Sequence, residues 1–145
     1  MSALAVRYGT RAETKKKTAV GMTETVLWTN SDPTASFSAQ TVTLSDSLKN
    51  YKYFKVVYRS SNTGDIDFYV LFPVFGADGE FMYYVGNSQA KGCISYNISS
   101  GTARQRRLYI NNTDGTEVGF TACQNVTSTT TVNGALIPIA IYGVN

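Results

Sequence analysis

The segment from Ala39 to Ser60 constrains the fold of this chain more than any other stretch. Its two halves, AQTVTL and YFKVVYRS, each alternate apolar with polar residues, and the polar turn SDSLKN lies between them. Alternation with a period of two, carried by β-branched and aromatic residues, is typical of half-buried antiparallel strands. We therefore predict two strands joined by a turn, with Leu48 of the turn folded back against the apolar side.

Seven further segments predict strands separated by Gly, Asn, Asp and Pro turn residues. They are 24–29, 66–74, 80–85, 93–99, 104–110, 117–123 and 135–142. Residues 126–133, VTSTTTVN, are either an edge strand or a loop, and Pro138 predicts a bulge or an edge position in the closing segment. With no convincing helix and turns about every 8–12 residues, the chain is predicted to be all-β. The expected fold is an antiparallel β-sandwich, jelly-roll-like, with about eight or nine strands.

The first 22 residues differ from the rest and predict a separate N-terminal arm. They hold a short apolar run followed by Arg11 and the cluster Lys15–Lys17, whereas residues 23–145 carry the strand pattern. Such an arm is either a linker or an attachment element that lies on a neighbouring subunit or a larger assembly. At 145 residues the chain is long enough for one core, so residues 23–145 are predicted to form a single domain.

Histidine is absent, which excludes several kinds of chemistry. It is the commonest general base and metal ligand, and a Ser-His-Asp triad cannot be built without it. Cys93 and Cys123 alone cannot complete a four-ligand zinc site. A disulfide between them requires that their strands be neighbours, and two free thiols on strands are the first expectation. No glycine-rich phosphate loop is present. The sequence therefore predicts no cofactor, no bound metal and no enzyme activity.

The N-terminus lacks the pattern of a secretory signal, because its apolar run precedes its charges. No apolar run approaches the ~20 residues that a membrane span needs. We therefore expect synthesis in the cytoplasm and no contact with a membrane.

Four carboxylates near predicted turns are the candidates for hydrolytic or metal chemistry: Asp65, Asp67, Asp78 and Glu80. A pair of carboxylates can act as acid and base in glycoside hydrolysis, and several oxygens together can ligate calcium. The density of acidic residues is below that of a calcium loop, and Asp and Gly are ordinary turn residues. We therefore expect these carboxylates to shape turns.

Three arginines at the start of one predicted strand, Arg104, Arg106 and Arg107, form a candidate basic patch. Strand parity places Arg104 and Arg106 on one face and Arg107 on the other. Clustered arginines beside Tyr109 could contact phosphate or an acidic glycan. With a net charge of only +3, the chain lacks the footprint of a nucleic-acid binder, so a solvated strand end or a subunit contact is expected instead.

The ten tyrosines are the most informative candidates for binding. Tyr51, Tyr53, Tyr69 and Tyr84 are predicted to lie on the face opposite the main apolar set of their strands. Tyrosine is favoured on surfaces that are half dry and half wet, at protein interfaces and sugar sites. Another sheet, another subunit or a ligand must cover such a face, and self-association is the simplest way to do so. Trp28 is predicted to anchor the core, with a sugar-stacking platform as the alternative.

Three segments together resemble β-sandwich modules of tailed bacteriophages: ETVLWTN at 24–30, TVTLSDSLKNYKYFKVVY at 41–58 and IPIAIYGVN at 137–145. In that group such modules end tail-fibre, baseplate and receptor-binding proteins, and related ones decorate capsids. The resemblance implies a virion protein, often homotrimeric, whose loops at one end hold a host surface polysaccharide. It carries no catalytic motif.

The short arm departs from a tail-fibre tip, which normally follows a long shaft. Because of this departure, a short head fibre, a decoration protein or a separate adaptor is an alternative to a tail tip. In each case residues 1–22 would attach the chain to other virion proteins. Adhesion to host surface glycans is the first expectation for function. A purely structural capsid decoration is the alternative, and a carboxylate-based glycan hydrolase is the third.

Overall fold

The chain folds into two antiparallel β-sheets that pack face to face, in a computed structural model that describes residues 15–17, 21–63, 66–86, 92–99 and 102–145. The strands are β1 (Lys15–Lys17), β2 (Thr23–Thr29), β3 (Gln40–Thr43), β4 (Tyr53–Ser61), β5 (Asp67–Pro73), β6 (Gly92–Ser99), β7 (Thr102–Ile110), β8 (Glu117–Phe120), β9 (Gln124–Asn125) and β10 (Ala135–Val144). One sheet, the β10 sheet, has the order β1-β2-β10-β4-β5. The other, the β7 sheet, has the order β3-β8-β7-β6, with β9 also paired to β7. The prediction of an all-β sandwich is confirmed.

Within these residues the only helical element is a 3-10 turn at Leu48–Asn50. Ser47 caps it by accepting a hydrogen bond from the Lys49 amide, and Leu48 is fully buried, as predicted. None of the helical structure in the described part of the chain is long and apolar enough to cross a membrane.

The core lies between the sheets and follows from the alternation in the sequence. On β4, Phe54, Val56 and Tyr58 are buried, whereas the residues between them face away from the core. The β7 sheet contributes apolar side chains of the same kind from β7 and β8. Burying one such side chain contributes about 1.5–3 kcal/mol relative to leaving it exposed. The buried members from β7 and β8 are Leu108, Ile110, Val118 and Phe120.

Strand β10 occupies the centre of its sheet, between β2 and β4. Its register to β4 shifts between Pro138 and Ala140, so of the two predicted alternatives the bulge is present and the edge position is not. A proline has no N–H to give to a neighbouring strand, and a bulge removes the need for one. The freed Pro138 carbonyl accepts a hydrogen bond from Asn30 Nδ2 at 2.8 Å.

Residues 80–85 are not a strand, so that prediction is wrong. Phe81 and Tyr84 form only isolated bridges, to Phe75 and to Ile110. The segment is instead held by two different strand ends. The Met82 amide donates to the Val74 carbonyl beyond β5, and the Ile110 amide of β7 donates to the Tyr83 carbonyl. Both of its faces are apolar because it closes one end of the core, against which Phe81, Tyr83 and Tyr84 pack.

Other boundaries also differ from the sequence pattern. Residues 126–133 are a loop with one isolated bridge, so the edge-strand alternative is not realised. Strand β8 ends at Phe120, three residues before the predicted end at Cys123. Of the predicted arm, Lys15–Lys17 forms β1 on the outer edge of β2, and residues 1–14 and 18–20 lie outside the described residues, as does Asp65.

Tyr58→Phe should stabilise the fold by about 1 kcal/mol, because it removes a buried hydroxyl whose desolvation cost no hydrogen bond offsets. The ring is fully buried and stacks on Phe68, yet its hydroxyl has no hydrogen-bond partner among the described residues. Burial raises the pKa of this hydroxyl, so it stays protonated. Urea unfolding of the two proteins measures the difference, and a loss of stability in Tyr58→Phe would contradict the expectation.

Candidate functional site

A pocket of about 600 Å³ opens at one end of the sandwich and is the candidate site. We call it the hairpin pocket. Three segments meet there: the 75–84 segment, the 3-10 turn and the turn between β7 and β8. Its lining residues are Lys49, Phe75, Asp78, Gly79, Glu80, Phe81, Tyr84 and Thr113.

The turn at residues 76–79 places two carboxylates at the pocket. The Gly76 amide donates to the Glu80 carbonyl at 2.8 Å, and the Gly79 amide donates to the Gly76 carbonyl at 3.0 Å. Gly79 has a φ of 81°, a left-handed conformation that favours glycine. Asp78 Oδ1 accepts the Glu80 amide at 3.0 Å. The predicted turn is confirmed, and its hydrogen bonds fix where Asp78 and Glu80 leave the backbone.

Aromatic rings form another part of the lining. Phe75 stacks on Phe81 with ring centroids 5.6 Å apart and planes 11° apart, and Tyr84 lies 6.4 Å from Phe81. Phe75 is 37 % exposed, an uncommon exposure for so apolar a side chain. Gly115 lies beneath Phe81, and a Cβ at that position would come within 2.8 Å of the ring. The glycine therefore allows the ring to seat against the turn.

Hydrogen bonds between two distant turns bring Lys49 and Thr113 to the same pocket. Ser47 Oγ donates to the Asp114 carbonyl at 2.6 Å, and the Leu48 amide donates to the Gly115 carbonyl at 2.8 Å. These contacts join the 3-10 turn to the β7–β8 turn, across more than sixty residues of sequence. Short-range sequence patterns could not have shown this meeting.

Charges in the hairpin pocket do not cancel. Its lining includes two carboxylates, Asp78 and Glu80, and one ammonium group, Lys49, which leaves one net negative charge. The ion pairs found within the described residues are Lys55–Glu24 and Arg59–Asp67, and neither involves the pocket. The three charged groups are thus open to a ligand.

The four tyrosines predicted for binding do not converge on one site. Tyr84 lines the hairpin pocket. Tyr53 and Tyr69 are exposed on the outer face of the β10 sheet, as the alternation predicted. The outward position predicted for Tyr51 is wrong, because its ring is buried against Gly143 and its hydroxyl donates to Asp46 Oδ2 at 2.9 Å. Tyr51 is a structural residue.

Asp46 should make the fold sensitive to acid through its bond with Tyr51. This hydrogen bond lowers the pKa of Asp46 below its ordinary value, helped by bonds from the Ser47 amide and Asn50. A lowered pKa in the folded state stabilises the protein above the unfolded-state pKa, about 3.9, and this stabilisation is lost as pH falls through the folded-state pKa. We expect Tyr51→Phe to lose less stability than wild type between about pH 5 and pH 2. Melting temperatures across that range test this, and parallel curves would contradict it.

Three of the four candidate carboxylates belong to the described residues, and they lie in two places. Asp67 lies at the start of β5 and forms an ion pair with Arg59, with Nε 2.9 Å from Oδ1. It is separated from the hairpin pocket by the length of a seven-residue strand, about 20 Å. Asp78 and Glu80 line the pocket. In the part of the chain that the structure describes, no three acidic or cysteine side chains are grouped to hold a metal ion.

The three arginines do not form one basic patch, and they do not share a solvated strand end. Arg106 is fully buried, and its guanidinium donates to the carbonyls of Leu136, Ala135 and Thr121. Burial lowers the pKa of this guanidinium. Arg104 is half-buried and donates to Asn125 Oδ1, and Arg107 alone is exposed. Strand parity separates Arg107 from the other two, as predicted, but directs the pair toward protein rather than solvent.

Both cysteines are free thiols, as predicted, but only Cys93 lies on a strand, so the predicted strand position of Cys123 is wrong. Cys93 is exposed on β6, whereas Cys123 is buried between β8 and β9, and burial raises the pKa of its thiol.

Trp28 anchors the core edge, as predicted. Its ring packs against Phe37 and Phe120, with both centroid distances 6.2 Å.

Sequence analysis missed Lys49, Phe75, Phe81 and Thr113 as pocket residues. A local signal existed for two of them, because Phe75 and Phe81 flank the GADGE turn and face each other across it. Aromatic residues on both sides of a tight turn indicate a cross-strand pair. Lys49 and Thr113 carried no such signal.

A scan against protein-family models and searches of curated proteins and of solved structures found no match for this chain.

Proposed function

We propose that this chain is an adhesion module of a tailed-bacteriophage virion and that it binds host surface glycans in the hairpin pocket. The observation that carries the proposal is the exposed ring of Phe75 beside two carboxylates and an ammonium group in an open pocket. Sugars present apolar C–H faces that stack on aromatic rings, and hydroxyls that bond to charged side chains. The virion assignment is supported by the resemblance of residues 24–30, 41–58 and 137–145 to phage β-sandwich modules.

Oligomer formation is part of the proposal. A single open pocket gives weak binding, and several copies on one particle raise the effective affinity by avidity. The outer face of the β10 sheet supports association between copies, because Tyr53, Tyr69 and Leu71 are all exposed there. We propose a homo-oligomer, a trimer, that residues 1–22 attach to other virion proteins.

Binding of labelled, purified protein to a panel of bacterial cell-wall and capsular polysaccharides tests the proposal. We expect saturable binding that weakens at least about fivefold in Phe75→Leu, because the ring contributes about 1 kcal/mol. The matched control is Ile66→Ala, which removes an apolar side chain that is 53 % exposed but lies outside the pocket and is not one of the residues proposed for association. The oligomeric state of each variant is measured in the same samples, so that a change in avidity is not mistaken for a change in the pocket.

A structural decoration protein is the second candidate, favoured by the exposed outer face of the β10 sheet. A decoration protein predicts no saturable binding across the panel by intact, oligomeric protein, together with an oligomer that dissociates in Tyr69→Lys.

A glycan hydrolase is the third candidate, since Asp78 and Glu80 share the pocket. Release of reducing ends from the same panel, lost in Glu80→Gln, would favour it.

A further inference from the structure

We infer that the hairpin pocket selects glycans that carry a positively charged ammonium group. The group is either the free amine of an amino sugar or an alkylammonium substituent on the glycan. This inference rests on the proposed function, that the pocket binds a glycan, and adds the chemical class that it prefers.

The first argument is the sign of the local charge. The chain as a whole carries a net charge of +3, yet the hairpin pocket has two carboxylates and one ammonium group. An anionic glycan would be attracted to the protein and then repelled by Asp78 and Glu80. A cationic group at the pocket meets two carboxylates, and partial enclosure there strengthens the attraction relative to open water. The local excess of negative charge therefore favours a ligand with an ammonium group.

The second argument is the aromatic lining. Ring faces attract ammonium groups, most strongly where water is partly excluded. Phe75, Phe81 and Tyr84 supply three rings beside the two carboxylates. These rings can therefore contact an ammonium group as well as the apolar face of a sugar.

The third argument is that the same chain already holds an ammonium group in this way. On the outer face of the β10 sheet, Lys55 Nζ lies 5.1 Å from the Tyr69 ring centroid and 4.7 Å from that of Tyr142. Its ion-pair partner is Glu24, at 2.5 Å. Two rings and a carboxylate thus surround one ammonium group. The hairpin pocket offers the same kinds of group, with about 600 Å³ of space for a ligand.

The test compares two oligosaccharides with the same sugar backbone: a β-1,4-linked glucosamine hexamer, which carries amines that can be protonated, and its fully N-acetylated counterpart, which carries neutral acetamides. We expect wild-type protein to bind the amino form at least about tenfold more tightly at low salt. The preference should shrink between about 50 mM and about 500 mM NaCl, because salt screens exposed charges. Choline and ethanolamine are then used as competitors. Stronger competition by choline assigns the alkylammonium source, and stronger competition by ethanolamine assigns the amino-sugar source.

Isosteric variants connect the preference to the pocket. Glu80→Gln and Asp78→Asn each remove one charge, and Asn at 78 retains an acceptor for the Glu80 amide. We expect each to reduce the preference several-fold and the double variant to abolish it. Asp32→Asn is the matched control, because Asp32 Oδ1 also accepts an amide two residues on, from Thr34, in a loop outside the pocket. It should keep the full preference.

The outcomes separate this inference from the proposed function. Equal binding of the two hexamers, weakened for both in Phe75→Leu, overturns the ammonium preference and leaves glycan binding in place. A preference that persists in the double variant also overturns the inference, because the cation is then recognised elsewhere. Binding of neither hexamer, nor of any polysaccharide in the panel, overturns both.

Discussion

Arg106→Met should destabilise the sandwich by about 4 kcal/mol or more, the largest effect expected of any single substitution discussed for this chain. The guanidinium makes three hydrogen bonds inside the protein: Nε to the Leu136 carbonyl at 2.8 Å, Nη1 to the Thr121 carbonyl at 2.8 Å and Nη2 to the Ala135 carbonyl at 3.1 Å. Each hydrogen bond from a charged donor contributes about 1.5–3 kcal/mol. Methionine fills similar space but leaves three carbonyls without their donor.

These bonds also hold backbone that would not keep its conformation alone. Leu136 has a φ of 48°, a left-handed conformation that costs a residue with a side chain about 1–3 kcal/mol. Arg106 lies on β7 and Leu136 on β10, so the guanidinium joins the two sheets at this point. Its carbon atom Cζ also lies 5.3 Å from the Phe37 ring centroid. Arg106→Lys keeps the charge but loses the planar fork, and we expect an intermediate loss of stability.

Urea unfolding followed by the fluorescence of Trp28, the only tryptophan, measures both variants. Arg107→Met is the matched control, because Arg107 is the next residue on β7 but is exposed. Its effect should stay within about 0.5 kcal/mol. A loss below about 1 kcal/mol in Arg106→Met would show that the three carbonyls find other donors.

Local alternation in the sequence predicted what depends on neighbours along one strand. The buried side of β4 followed from the positions of Phe54, Val56 and Tyr58. Pro138 predicted a bulge or an edge position in β10, and the structure has the bulge. Turn residues placed the chain reversals before residues 80 and 117 for the same reason. These features are local, because backbone geometry and side-chain parity act over a few residues.

Arg106 shows where such reasoning stops. Parity placed Arg104 and Arg106 on one side of a strand, and the usual exposure of charge assigned that side to solvent. The carbonyls that accept hydrogen bonds from Arg106 belong to Thr121, Ala135 and Leu136. No local sequence pattern indicates that these carbonyls need a side-chain donor. Burial of the arginine is therefore a consequence of tertiary structure.

The hairpin pocket was also predictable only in part from the sequence. Asp78 and Glu80 were visible as turn residues, and their hydrogen bonds confirm that role. Their second property, a shared pocket with Lys49 and Thr113, depends on the contact between two turns that are far apart in sequence. Some residues of the candidate binding site could thus be recognised by their type, but the full set of lining residues could be identified only from the fold.

Gly143→Ala is expected to cost about 2–3 kcal/mol, because the added methyl group has no space. A Cβ on Gly143 would lie 2.6, 2.6 and 2.7 Å from three atoms of the Tyr51 ring. The ring cannot easily move away, since it is buried and its hydroxyl is bonded to Asp46. Gly143 lies on the central strand β10, opposite Phe54 of β4, so a backbone shift would disturb the middle of the sheet.

A double-mutant cycle attributes this cost to the ring. In a Tyr51→Ala background the methyl group fits, so Gly143→Ala should cost at least about 1 kcal/mol less there than in wild type. Gly134→Ala is the matched control, because a Cβ there meets the Asn62 side chain at 3.3 Å, and this flexible group can yield. Urea unfolding of the four cycle members and the control provides the free energies. Additive effects of Tyr51→Ala and Gly143→Ala would contradict the packing of the ring on the glycine, and with it the structural role assigned to Tyr51.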